Sequence, residues 1–148
     1  MKNTLLLENM RALLDGSDDP VSSLANASAL MMEALPDINW VGFYLLRDGA
    51  LVLGPFQGRV ACTRILLGRG VCSKAVLENR AVRVPDVHAF PGHIACDVAS
   101  NSELVVPLRD GCGSVIGVLD IDSTTVGRFS ADDEETVVAL AAIIEKKL

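Results

Sequence analysis

The residue types in this chain that could do chemistry begin with its four cysteines, Cys62, Cys72, Cys96 and Cys112. They stand 10, 24 and 16 positions apart. No Cys-x-x-Cys pair results, so a zinc ribbon or a thioredoxin-like motif is disfavoured. A metal site from Cys62, Cys72, Cys96 and a histidine is geometrically possible but has no spacing signature, and no metal is expected. The default for any one cysteine is a small buried apolar side chain. Cys112 departs from it, because the turn Asp110-Gly111-Cys112-Gly113 predicts exposure. Cys96 departs differently. It lies in Pro91-Gly92-His93-Ile94-Ala95-Cys96-Asp97, close to His88 and His93. A neighbouring imidazolium lowers a thiol pKa and makes a thiolate nucleophile available, whereas Asp97 acts in the opposite sense.

The carboxylates and aromatic residues come next. In Val118-Leu119-Asp120-Ile121-Asp122, a strand puts both aspartates on one face. Two like charges so close repel, so either one keeps its proton or both face a cation. A strand end running into solvent gives the same pattern. Glu103 stands just before the apolar run Leu104–Pro107 and reads equally well as a solvated residue. The single Trp and the single Tyr fall in Trp40-Val41-Gly42-Phe43-Tyr44. On a strand, Trp40, Gly42 and Tyr44 share a face. Gly42 then leaves a gap between two rings, either a small apolar pocket for a thioether or methyl group or a surface for a helix.

Elements must position these groups. Leu6, Met10, Leu13 and Leu14 have helical spacing, as do Leu24, Ala27, Leu30, Met31 and Ala34. Asp19-Pro20 starts the second helix and Pro36 stops it. Residues 38–46 and 50–54 read as strands joined by an Asp48-Gly49 hairpin turn. Residues 55–70 read as a loop with a short apolar piece at 65–67, residues 71–79 as a short helix and 81–84 as a strand. Residues 85–103 form a long loop holding both histidines, and such loops are often functional. Strands 104–108 and 115–121 follow. Ser130 and Asp133 resemble a capping box that opens the last helix. The pattern predicts an α+β domain spanning 1–148, with a mostly antiparallel sheet and the N- and C-terminal helices on one face.

Composition agrees. Half the residues are apolar and 22% are charged, enough for a sizeable core from a chain of single-domain length. A net charge of −6 disfavours general nucleic-acid binding. No apolar run approaches the length of a membrane span. The N-terminal leucines are interrupted by Glu8 and Arg11, which argues against a signal peptide. A cytoplasmic protein is expected, whose cysteines are thiols rather than a disulfide framework. The amphipathic N-terminal helices leave room for a homodimer.

Several strings resemble the free methionine-(R)-sulfoxide reductases, stand-alone enzymes with the GAF fold. They are Asn39–Tyr44, Leu51–Gln57, Ala61-Cys62-Thr63, Gly70-Val71-Cys72, Val84–Asp97, Ser102–Pro107 and Gly117–Ser123. The resemblance runs from about residue 20 onward. It implies a reductase for the R-sulfoxide of free methionine, with no bound cofactor. Cys96 matches the catalytic cysteine, which would become a sulfenic acid. Cys72 matches the resolving cysteine, and Cys62 a third cysteine with a secondary or alternative resolving role. Thioredoxin, fed by NADPH, would reduce the resulting disulfide. Trp40 and Tyr44 match residues lining the methyl and thioether end of the pocket. Glu103, Asp120 and Asp122 match the acids around the ligand, with Glu103 and Asp122 assigned to the sulfoxide oxygen and Asp120 to the ammonium. Cys112 has no counterpart.

Two other readings compete. One is a ligand-sensing GAF module without catalysis, which would keep binding and output in Cys96→Ser. The other is a redox switch using Cys72 and Cys96, which would release no methionine.

Overall fold

The computed structural model describes residues 3–93 and 99–148. Cys96, the expected nucleophile, lies outside the described residues. Helix α1 runs Thr4–Leu14 and α2 runs Pro20–Ala34. Asp19 caps α2, its carboxylate accepting from the Val21 N–H at 2.8 Å. Pro20 takes the first helical turn, where a missing N–H costs nothing.

Strands β1 (Trp40–Arg47) and β2 (Ala50–Gln57) form the expected hairpin. Asp48 and Gly49 both have positive φ, at 51° and 77°, which suits the twist of a two-residue hairpin. β2 continues through Pro55, where the sequence predicts a loop. The β1–β2 register slips between Gly42 and Tyr44, and β3 (Arg64–Leu66) reaches only to Val52. Pro55 therefore has no ladder partner to lose.

Helix α3 (Gly70–Glu78) and strand β4 (Val82–Val84) follow, then β5 (Ser102–Arg109), β6 (Val115–Ser123) and helix α4 (Ala131–Ile144). The expected capping box is present, with Ser130 accepting from the Asp133 N–H and the Asp133 carboxylate accepting from the Ser130 N–H. The sheet order is β3-β2-β1-β6-β5-β4, and its paired strands are antiparallel.

α1, α2 and α4 cover one face, as the pattern predicts. Met10, Leu24, Met31, Phe43, Leu104, Leu119, Ile121 and Leu140 meet there and are almost completely buried. Each such side chain contributes about 1.5–3 kcal/mol of burial. α3 and its flanking loops cover the opposite face, around Trp40, Tyr44, Ile65, Cys72, Val105 and Val118. Among the described residues, no helix is long and apolar enough to cross a membrane.

Candidate active site

Strand alternation sorts the functional side chains. On β6, Leu119 and Ile121 join the helix-side core, while Asp120 and Asp122 line a cavity on the other face. The register then aligns residues from three strands. Asp122 lies opposite Trp40 on β1 and Glu103 on β5. One step along, Asp120 lies opposite Gly42 and Val105. The two aspartates thus share a face as the sequence predicts. Glu103 differs from expectation. It is the second residue of β5 rather than a residue ahead of it, because the ladder with β6 already begins at the Ser102–Ser123 pair.

Burial dominates the electrostatics. Glu103 is 7% exposed, Asp120 5% and Cys72 4%. Cys72 Sγ stands 3.9 Å from Glu103 Oε2. That sulfur and one oxygen each of Glu103 and Asp120 lie within 4.8 Å of one another, so they are also the described donors close enough to share a cation. Loss of solvent, reinforced by the charge of Asp122, pushes Glu103 up to about 8. Burial, then the charge of Glu103, raises Asp120 well above the ordinary carboxyl range. Burial, then the charges of Asp120 and Glu103, raises the Cys72 thiol. At neutral pH the cluster therefore holds protons, which makes it a proton donor and leaves Cys72 a thiol, not a thiolate. One oxygen of Asp120 is buried without a hydrogen-bond partner. Leaving such an acceptor unmet costs about 1–3 kcal/mol, and an ammonium group would meet it.

The gap expected above Gly42 is closed. A Cβ there would come within 2.8 Å of Trp40 Cη2 and collide with Phe56. Trp40 stacks on Phe56 at 5.2 Å and on Tyr44 at 6.0 Å between ring centroids. The absent side chain thus admits the backbone and Cβ of Phe56 from the neighbouring strand and the ring of Trp40 from the same one. Trp40 and Tyr44 line the small cavity, of about 50 Å³, together with Cys72, Glu103, Asp120 and Asp122.

The thiols divide in a way the sequence did not indicate. Cys62 is half-buried and disulfide-bonded. Cys72, the expected resolving cysteine, is a free buried thiol, and Cys112 is free and exposed as predicted. Cys72 is packed into α3 beside two proton-bearing acids, whereas Cys62 sits on the segment joining β2 to β3.

His93 also lines the cavity. Burial and the charge of His88 lower its pKa, which favours the neutral imidazole. Ser100 and Arg69 line the cavity too, and sequence reasoning missed both. Arg69 had a signal, since it precedes the Gly70 that opens α3.

The GAF domain family matches residues 19–148. The free methionine-R-sulfoxide reductase of Escherichia coli is 56% identical over 143 residues, covering 97% of this chain and 86% of its own. The chain belongs to the free methionine-R-sulfoxide reductases. Two solved structures place this family's fold on the described geometry. The free methionine-R-sulfoxide reductase from Neisseria meningitidis, in complex with its substrate, has a TM-score of 0.92 and 45% identity, covering 96% of this chain and 85% of its own. The reduced form of fRMsr from Staphylococcus aureus has a TM-score of 0.92 and 48% identity, covering 99% and 96%. The family resemblance in the sequence and the α+β sheet therefore agree. Among the described residues, the reductase's cavity acids sit on β5 and β6, and its cysteines on α3 and in connecting segments.

Proposed function

We propose that this chain reduces free L-methionine-(R)-sulfoxide to methionine. The observation that carries the reading is the buried pair Glu103 and Asp120, gathered with Cys72 beside an aromatic wall in one cavity. Sulfoxide reduction needs a proton at the departing oxygen, and Glu103 with Asp122 supplies it. The substrate ammonium donates to the buried Asp120 oxygen that otherwise has no donor, and its charge favours the ionised form of that acid. A peptide-bound sulfoxide lacks that ammonium and leaves the acid unpaired, which gives selectivity for the free amino acid a physical cause.

Cys96 attacks the sulfoxide sulfur. Methionine leaves, and the oxygen stays on the cysteine as a sulfenic acid. The Cys62 thiol then attacks the Cys96 sulfur, forming a disulfide and releasing water. Thioredoxin, with NADPH as the ultimate electron source in the cytoplasm, returns two electrons and both thiol protons. Assigning the second thiol to Cys62 rather than Cys72 is supported by the disulfide at Cys62 and by the raised pKa of Cys72.

The test measures NADPH consumption with thioredoxin and thioredoxin reductase. It compares the free R epimer, the free S epimer and an N-acetylated R-sulfoxide. Turnover is expected with the free R epimer alone, and Cys96→Ser should abolish it. Methionine release in one turnover without any reductant separates the chemistry from the choice of reductant. No methionine from any of the three, in folded and reduced protein, overturns the reading.

A further inference from the structure

The two aromatic side chains that line the cavity have no free polar tip to offer a ligand. Trp40 is 3% exposed and Tyr44 2%. The Trp40 indole N–H donates to the Arg59 carbonyl at 3.1 Å. The Tyr44 hydroxyl donates to the Cys62 carbonyl at 2.9 Å. Both acceptors belong to one segment, residues 58–63, which joins β2 to β3 and carries the disulfide-bonded cysteine. The segment begins flat on the same indole, since a Cβ at Gly58 would come within 2.6 Å of Trp40 Cδ1. At its far end the Thr63 carbonyl accepts from the Leu53 N–H at 3.0 Å. Between these anchors Val60 is 88% exposed.

We propose that Tyr44 and Trp40 are positioning residues for the resolving thiol. Their O–H and N–H groups hold the backbone of residues 58–63 where Cys62 can close the disulfide. This inference rests on the reading of Cys62 as the resolving cysteine.

The physical argument is one of orientation. A disulfide forms only when two Cα atoms come within about 7 Å and the Cβ vectors converge. A short exposed segment explores many conformations, and each residue fixed carries an entropic cost. A hydrogen bond to the carbonyl of Cys62 itself fixes the peptide plane next to the reacting side chain. Much of that cost is then met before the reaction, and closure behaves as a well-oriented intramolecular step. Burial, together with the nearby charges of Asp120, Cys72, Asp122 and Glu103, pushes the Tyr44 phenol far above its ordinary pKa. The anchor therefore stays a donor across the working pH range.

Tyr44→Phe tests this directly, because it keeps the ring and removes only the hydroxyl. The sulfenic acid is generated in two ways, with free methionine-(R)-sulfoxide and with hydrogen peroxide, and followed by rapid quench and dimedone trapping. The expected result is a burst of one methionine per chain that is slowed less than disulfide closure. Disulfide closure slows about tenfold and the trapped sulfenic acid persists longer. In a Cys62→Ser background, Tyr44→Phe should add nothing to that lifetime, as two changes in one step must.

Closure at the parental rate overturns the inference. So does a burst slowed as much as closure, which would place the hydroxyl on the substrate side. Absence of methionine from the parent protein instead overturns the proposed function. The peroxide arm still reports on positioning in that case.

Discussion

The two faces of the sheet are built from the same strands and do opposite things to the fold. On the helix side, Phe43, Leu104, Leu119 and Ile121 are completely buried among apolar neighbours. One residue along the same strands, the other face carries Gly42, Glu103 and Asp120, buried nearly as deeply. The first set stabilises by leaving water. The two acids of the second set are disfavoured by leaving water, which favours their protonated forms. A strand's period of two lets one stretch of chain serve both purposes, because adjacent residues never compete for the same surroundings. A site of buried acids can thus persist because its own backbone is held by an apolar core on the reverse side.

This contrast can be broken from either face. The largest expected effect is on the polar face. Glu103→Gln should lower turnover about 100-fold or more, since the amide cannot give up a proton. It should also change stability with a defined sign. The folded-state pKa of Glu103, about 8, lies above its ordinary value of 4.5, so the native state binds the extra proton in that interval. The stability attached to this site is therefore complete at low pH and is lost as pH rises through about 8. Melting curves at pH 5 and pH 9 should show the variant equal to the parent at the lower pH and more stable at the higher. A parental pH slope in the variant would sink this account.

On the apolar face, Leu119→Ala should cost about 2–5 kcal/mol in denaturant unfolding, from lost burial and the cavity left behind. The protein that remains folded should keep its activity, because Leu119 points away from the acids. Loss of activity without loss of stability would mean the faces are not separable. The smallest effect is expected at the edge of the core. Ser130→Ala removes half of the α4 capping box and should cost about 1 kcal/mol in the same assay, with turnover unchanged.

The contrast between faces was readable in the sequence wherever local spacing decides it. Leu119, Asp120, Ile121 and Asp122 alternate in the chain, and their faces follow without knowledge of any partner strand. The Asp48-Gly49 turn and the Asp19 and Ser130 caps were equally plain, because each acts within a few residues. Three features were hidden because each depends on a distant partner. Glu103 joins β5 only because Ser102 pairs with Ser123. Gly42 is filled rather than empty because Phe56 crosses from β2. The Tyr44 hydroxyl is committed because Cys62, 18 residues away, presents a carbonyl to it. The family resemblance supplied the acids and the cysteines together, but that Cys62 is disulfide-bonded while Cys72 is a free buried thiol is apparent only in the folded chain.

The position of β6 has a consequence for how the site ages and recovers. It lies between β1 and β5 near the middle of six strands, so the backbone at Asp120 and Asp122 is laddered on both sides. Cys62 hangs instead between the edge strand β3 and its neighbour. Separating the aspartates requires breaking ladders on both sides, whereas the Cys62 segment is held by the hydrogen bonds from Trp40, Tyr44 and Leu53 and opens more locally. The site therefore keeps two clocks. Its slow half preserves the shape of the pocket over the life of the molecule, and its fast half is the segment that carries Cys62.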